Sequence, residues 1–179
     1  MTAVLLYGPP ASGKDSVTDA LTSVSDEYQL FQRLKVGGGR SIGYRRATDS
    51  VINALRAAGD VVWENERYGA RYVIDRPALL ALHRRTVPVV HLGQREAIEA
   101  VTRALNGDVM TVALWCPRDV AAARIAGRGT GDTAARLDAW DATAPFPEAD
   151  LTINTSTIDP SRAARVIHER RILHADRSA

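Results

Sequence analysis

A three-layer α/β fold, a central parallel sheet with helices on both faces, is the class that this sequence predicts. Three observations lead there. Val4–Tyr7, Val87–Leu92 and Val109–Trp115 are almost uninterrupted apolar runs of strand length, the mark of strands buried on both sides. Helical patterns alternate with these runs, as crossover connections between parallel strands require. The first run also passes through a glycine-rich turn straight into a helical pattern, an arrangement that places ligands at the carboxyl ends of the strands.

The elements follow in order. Val17, Leu21 and Val24 share one face of a helix after the turn. An apolar patch, Tyr28 to Leu34, leads into Gly37-Gly38-Gly39, a tight or mobile connection. Thr48 is placed to cap a helix running to about Ala58, with Asp49 favourable in its first turn and Gly59 ending it. Val61–Trp63 and Arg71–Ile74 read as short strands around Gly69, with the polar residues Glu64, Asn65 and Glu66 between them as a surface loop. Pro77 to His83 begins as helices often do, with proline in the first turn. Glu96–Leu105 is a helix between two of the long apolar strands, Pro117–Ala126 is another, and Leu151–Ile153 with Ser161–Ile172 closes the chain as a strand-helix pair.

At 179 residues the chain is expected to form one domain, residues 1–179. No apolar run approaches the roughly 20 residues needed to span a bilayer, and the start of the chain reads as a strand, not as a leader. The net charge of +2 gives no basic surface for nucleic acid or membrane. The single cysteine, Cys116, excludes an internal disulfide, and a cytoplasmic location is expected. Of 23 cationic residues only Lys14 and Lys35 are lysines. One of them, Lys14, stands in the glycine loop, where a compact ammonium serves differently from a planar guanidinium.

Gly8-Pro9-Pro10-Ala11-Ser12-Gly13-Lys14 matches G-x-x-x-x-G-K between a first strand and a first helix. In such a loop the backbone N–H groups and the helix dipole hold phosphates, and the lysine reaches the β- and γ-phosphates. Gly8, Pro9, Ala11, Ser12, Gly13 and Lys14 are therefore expected to bind ATP. The usual hydroxyl residue after the lysine is replaced by Asp15, which can ligate Mg²⁺ directly or through water, or leave that task to Ser16. Arg128 lies within the glycine-punctuated stretch Gly127 to Asp132, with Arg124 and Arg136 on either side of it, a segment suited to close as a lid over a transferring phosphoryl group. Lys14, Arg128 and Arg136 are the expected catalytic cations.

On these residues the chain resembles the guanylate kinase-like branch of the P-loop nucleotide kinases, including the related ribose 1,5-bisphosphate phosphokinases. The resemblance is carried by Gly8–Asp15, Gly69-Ala70-Arg71-Tyr72 and Arg124–Thr130. It implies a P-loop kinase domain with an acceptor-binding region at about 33–75 and a lid at about 124–137. It also implies that Arg33, Arg40, Tyr44 and Tyr72 grip an acceptor phosphate, and that Glu64 reads the acceptor's base or one of Glu64, Asn65 and Glu66 binds a different acceptor or assists its nucleophile as base. Arg124 and Asn154 then belong to the ATP side. Two departures weaken guanine recognition, Val73 in place of glycine after Tyr72 and a lost pair of aspartates. Where guanylate kinases carry Asp-x-Asp, the sequence reads His91-Leu92-Gly93, and His91 is either a buried histidine or a substrate contact. Trp63, Trp115 and Trp140 are expected to pack, not to stack on bases.

The functional expectation is an ATP- and Mg²⁺-dependent kinase of a small phosphorylated acceptor, a nucleoside monophosphate in the first instance. Ribose 1,5-bisphosphate or another phosphorylated non-nucleotide is the alternative, favoured by Asp15 and the missing aspartates. A non-catalytic binding module is the rival from another class, opposed by the intact loop.

Overall fold

The computed structural model describes residues 2–39, 42–67, 69–127, 129 and 131–175. The chain begins β1 (Ala3–Tyr7), α1 (Lys14–Val24), β2 (Tyr28–Leu30), β3 (Arg33–Val36), β4 (Tyr44–Arg46), α2 (Asp49–Ala57), β5 (Val61–Arg67) and β6 (Ala70–Asp75). It continues α3 (Arg76–His83), β7 (Val87–Leu92), α4 (Arg95–Ala104), β8 (Val109–Trp115), α5 (Arg118–Ala126), α6 (Thr133–Asp141), β9 (Leu151–Asn154) and α7 (Pro160–Ala175).

Five strands form a parallel sheet in the order β2-β7-β1-β8-β9. Central β1 is buried along its whole length, and strict alternation sorts its side chains between two layers. Leu5 and Tyr7 face Leu79 of α3 and Ala97, Ile98 and Val101 of α4. Val4 and Leu6 face Val17 and Leu21 of α1 and Ile167 of α7. Helices thus cover both faces, as the apolar runs predict. Among the described residues no helix is long and apolar enough to cross a membrane.

A second sheet, β4-β3-β6-β5, stands beyond the carboxyl ends of this one, with β3-β6-β5 antiparallel and β4 parallel to β3. Its small core, Leu34, Ile52 and Val73, lies beneath α2. That helix is capped as expected, since Thr48 accepts from the Val51 N–H at 3.4 Å and Gly59 leaves it with φ +71°. The Tyr28–Leu34 patch is not one element. Tyr28 and Phe31 serve the cores of the large sheet while Leu34 serves the small one, so the chain changes sheets between them. Residues 64–66, expected as a loop, belong to β5 instead. Their polarity suits a strand whose two faces meet charged α2 on one side and a cleft on the other.

Ile167 is fully buried between α7 and the sheet. Ile167→Ala should lower unfolding stability by about 2–5 kcal/mol, with a fall in Tm on the order of 10 °C by calorimetry. An unchanged Tm would contradict this packing.

Candidate active site

At Gly8 the loop between β1 and α1 is held so closely that a side chain is excluded. A Cβ on Gly8 would stand 2.2 Å from the Leu114 carbonyl oxygen and 2.7 Å from Ser12 Oγ. Ala11 takes φ +62° and Gly13 φ +92°, and Ser12 is wholly buried. Gly13 directly precedes α1, so the loop ends on a helix N-terminus with its unsatisfied N–H groups and positive dipole end. Lys14 Nζ folds back over the loop, donating to the carbonyls of Gly8 (2.5 Å) and Pro9 (2.8 Å) and to Ser12 Oγ (3.3 Å). This places a cation over the concavity.

Arg124 of α5 acts on the loop from behind. Its guanidinium donates to the Ala11 carbonyl (3.1 Å) and to Thr155 Oγ1 (3.0 Å) and carbonyl (2.7 Å), tying the loop to the turn after β9. Asn154 organises that turn by accepting from the Ser156 N–H at 3.0 Å and hydroxyl at 2.7 Å. These two predicted nucleotide contacts therefore shape the loop's surroundings.

His91 is the penultimate residue of β7, the neighbour of β1, and approaches α1. Its Nε2 lies 2.7 Å from Thr18 Oγ1 and its Nδ1 3.6 Å from Asp15 Oδ1. Burial, then the charge of Lys14, hold the imidazole well below its ordinary pKa against the opposing pull of Asp15, so the ring is neutral. Asp15 itself is largely exposed at the mouth of the loop.

One cleft of about 880 Å³ runs from the loop to the second sheet. Alternation along β3 sends Arg33 and Lys35 into it and Leu34 away; along β5, Trp63, Asn65 and Arg67 line it. Tyr44 and Tyr72 stand 5.2 Å apart at their ring centroids, tilted by 52°. Arg33 lies 5.2 Å from the Tyr72 ring and Lys35 5.5 Å, each within 5.7 Å of Tyr44 as well. Two cations and two phenols thus share one corner. Lys35 is only 4% exposed, and burial together with Arg46 lowers its pKa. Asn65 Nδ2 donates to Gln94 Oε1 at 2.8 Å, while Asn65 Oδ1 is buried without a hydrogen-bond partner among the described residues.

Another wall of the cleft is contributed by α6, which the sequence does not announce. Arg136 in its first two turns lines the cleft and donates from Nε to Asp132 Oδ1 at 2.7 Å. Arg128 and Arg40 lie outside the described residues.

No family model matches the chain, and no curated protein matches it in sequence. Solved structures do match it in fold. Guanylate kinase from Anaplasma phagocytophilum superposes with a TM-score of 0.63 at 14% identity, covering 98% of this chain and 85% of that one. A gluconokinase from Sinorhizobium meliloti 1021 gives 0.56 at 17% identity, covering 98% and 97%. Shikimate kinase from Acinetobacter baumannii in complex with shikimate gives 0.54 at 17%, covering 97% and 94%. The chain has the P-loop kinase fold.

Within this P-loop kinase fold the predicted residues divide. Gly8, Ala11, Ser12, Gly13, Lys14, Asp15, Arg33, Tyr44, Tyr72 and Arg136 line the one cleft, whereas Pro9 faces it only through its carbonyl, which accepts from Lys14. Ser16 is exposed on α1 and is not among the cleft-lining residues. Glu64 points the other way, accepting from Arg56 Nε at 3.0 Å and Nη2 at 2.7 Å on the α2 face, because strand alternation opposes it to Asn65. Trp115, expected to pack, is 44% exposed at the end of β8. Lys35 also lines the cleft, and the scarcity of lysine is the one signal for it in the sequence. Gly8→Ala should destabilise the fold by about 2 kcal/mol or more in denaturant titration, since the Leu114 carbonyl belongs to the central sheet and cannot yield. Wild-type stability in this variant would contradict the close approach.

Proposed function

We propose that this protein is an ATP-dependent phosphotransferase whose acceptor is a small phosphorylated molecule. The observation that carries this reading is the single cleft with the Lys14 loop at one end and the Arg33–Lys35–Tyr44–Tyr72 corner at the other. The residues suit a triphosphate. The loop offers backbone N–H groups at the start of α1, and Lys14 can exchange its carbonyl contacts for phosphate oxygens. Asp15 at the loop mouth suits the accompanying divalent cation, which when bound neutralises charge on the phosphate oxygens.

The chain's own part is positioning and charge stabilisation. The bond between the γ-phosphorus and its bridging oxygen breaks as an acceptor oxygen bonds to that phosphorus, leaving ADP. Lys14 and Arg136 stabilise the charge on the moving phosphoryl group, Arg136 leaving Asp132 as a phosphate competes for it. Arg33, Lys35 and the two tyrosine hydroxyls hold the acceptor's phosphate, and Asn65 Oδ1 accepts from an acceptor hydroxyl.

A phosphorylated sugar is supported over a guanine nucleotide as acceptor. The carboxylates that line the cleft, Asp15, Asp19 and Asp132, come from α1 and the approach to α6, none from the described part of the second sheet, and the one expected to read a base, Glu64, is engaged by Arg56. Guanine's N–H donors would meet Asn65 and Gln94 at best.

A panel of nucleoside monophosphates and sugar phosphates incubated with ATP and Mg²⁺, followed by ³¹P NMR, tests this. A new phosphoryl resonance is expected with a sugar phosphate, reduced at least ~10³-fold by Lys14→Ala. Exclusive turnover of guanylate would overturn the acceptor assignment, and no turnover of any acceptor would overturn the enzyme reading. Lys35→Met should raise the acceptor KM by roughly tenfold or more, the loss of one charge-assisted contact, with kcat changed less. An unaltered KM would remove Lys35 from the acceptor site.

A further inference from the structure

Asp15, Thr18 and His91 form a unit whose proton positions can be deduced from hydrogen-bond bookkeeping. Thr18 Oγ1 has one hydrogen and donates it to the Lys14 carbonyl at 2.9 Å, the i−4 bond that a helical threonine makes. In its 2.7 Å contact with His91 Nε2 the hydroxyl must therefore accept. Nε2 carries the ring's proton, and Nδ1 of the neutral imidazole presents a lone pair. That lone pair lies 3.6 Å from Asp15 Oδ1, too far for a hydrogen bond. Two bases face each other there, beside the phosphate loop. A proton on Nδ1 would bring the two into favourable contact, and so would a divalent cation held between them, which the adjoining phosphate loop would supply with its nucleotide.

The tautomer lock is what metal-binding histidines use, the distal N–H being held by a fixed acceptor so that the other nitrogen faces the ion. Position matters equally. In P-loop enzymes the loop supplies a neutral hydroxyl to the cation and a neighbouring strand supplies a carboxylate. Here the loop supplies the carboxylate of Asp15, and β7, paired to β1 through Leu6–His91, supplies the neutral donor. Protein charge at the cation is conserved while its two sources have exchanged places, and one oxygen has become nitrogen.

We propose that His91 Nδ1 and Asp15 together bind the nucleotide's divalent cation, and that the nitrogen donor shifts preference from Mg²⁺ toward Mn²⁺ or a similar transition metal. Mg²⁺ takes oxygen ligands and gives up water reluctantly, whereas Mn²⁺ and the later divalent ions accept imidazole. The inference rests on the nucleotide-binding reading above. Thr18 is a positioning residue here. Thr18→Val removes the hydroxyl acceptor and frees the ring to carry its proton on either nitrogen.

The test is electron paramagnetic resonance of the full chain with Mn²⁺ and ADP. Loss of the free Mn²⁺ signal reports binding, and electron spin-echo modulation reports the ligands. Modulation from a directly bound imidazole nitrogen is expected, changing when the histidines are labelled with ¹⁵N and vanishing in His91→Gln. The isotope substitution leaves the fold untouched and so decides the matter even if that variant is unstable. Thr18→Val should weaken Mn²⁺·ADP binding by several-fold while Mg²⁺·ADP changes less. Mn²⁺·ADP bound without histidine nitrogen modulation overturns the inference and leaves the nucleotide site standing. Failure to bind Mn²⁺·ADP at all overturns both.

Discussion

The rest of the structure depends on the close approach of the β1–α1 loop to the central sheet. Gly8 passes so near the Leu114 carbonyl that no side chain fits, which turns the following peptides toward the start of α1 and leaves a concavity under Lys14. Strand β1 makes this possible by being buried on both faces and paired on both edges, so the turn is built on the least movable part of the molecule. Arg124 then fixes the far side of the loop to the turn after β9. Preorganisation of this kind is what phosphoryl transfer asks of a protein, because little covalent chemistry falls to its side chains.

In the proposed reaction the second sheet does for the acceptor what the first does for the nucleotide. Among the described residues its core is Leu34 and Val73 beneath Ile52 of α2, yet alternation along β3, β5 and β6 is enough to divide the side chains. Leu34 and Val73 go under the helix, while Lys35, Asn65 and Tyr72 go into the cleft. Burying Lys35 beside Arg33 concentrates positive charge against two phenol faces. Cation–π contact offsets part of that repulsion, and an anionic acceptor would offset the remainder.

Much of this was legible in the residues. The long apolar runs, the glycine loop and the Thr48 cap each have a local cause, and the parallel sheet, the cradle and α2 appear where those causes place them. The parts that escaped depend on tertiary context. Glu64, Asn65 and Glu66 look alike as a polar run, and only the register of β5 against β6 separates Asn65 from its neighbours. The Tyr28–Leu34 patch is continuous in sequence but serves two cores. Helix α6 has no side-chain cap and no stripe of buried residues beyond Ala139, so nothing local announces it. His91 is an oddity near the end of a buried strand, but its contact with Thr18 of α1 exists only in the fold.

The central claim is that the loop from Gly8 to Asp15 is a nucleotide triphosphate site. Isothermal calorimetry with a non-hydrolysable ATP analogue and a divalent cation tests it most directly. Saturable one-to-one binding, tighter than about 1 mM and abolished by Lys14→Ala without loss of helical circular dichroism, is the predicted result. Absence of heat at millimolar analogue from the unmutated chain would contradict the account.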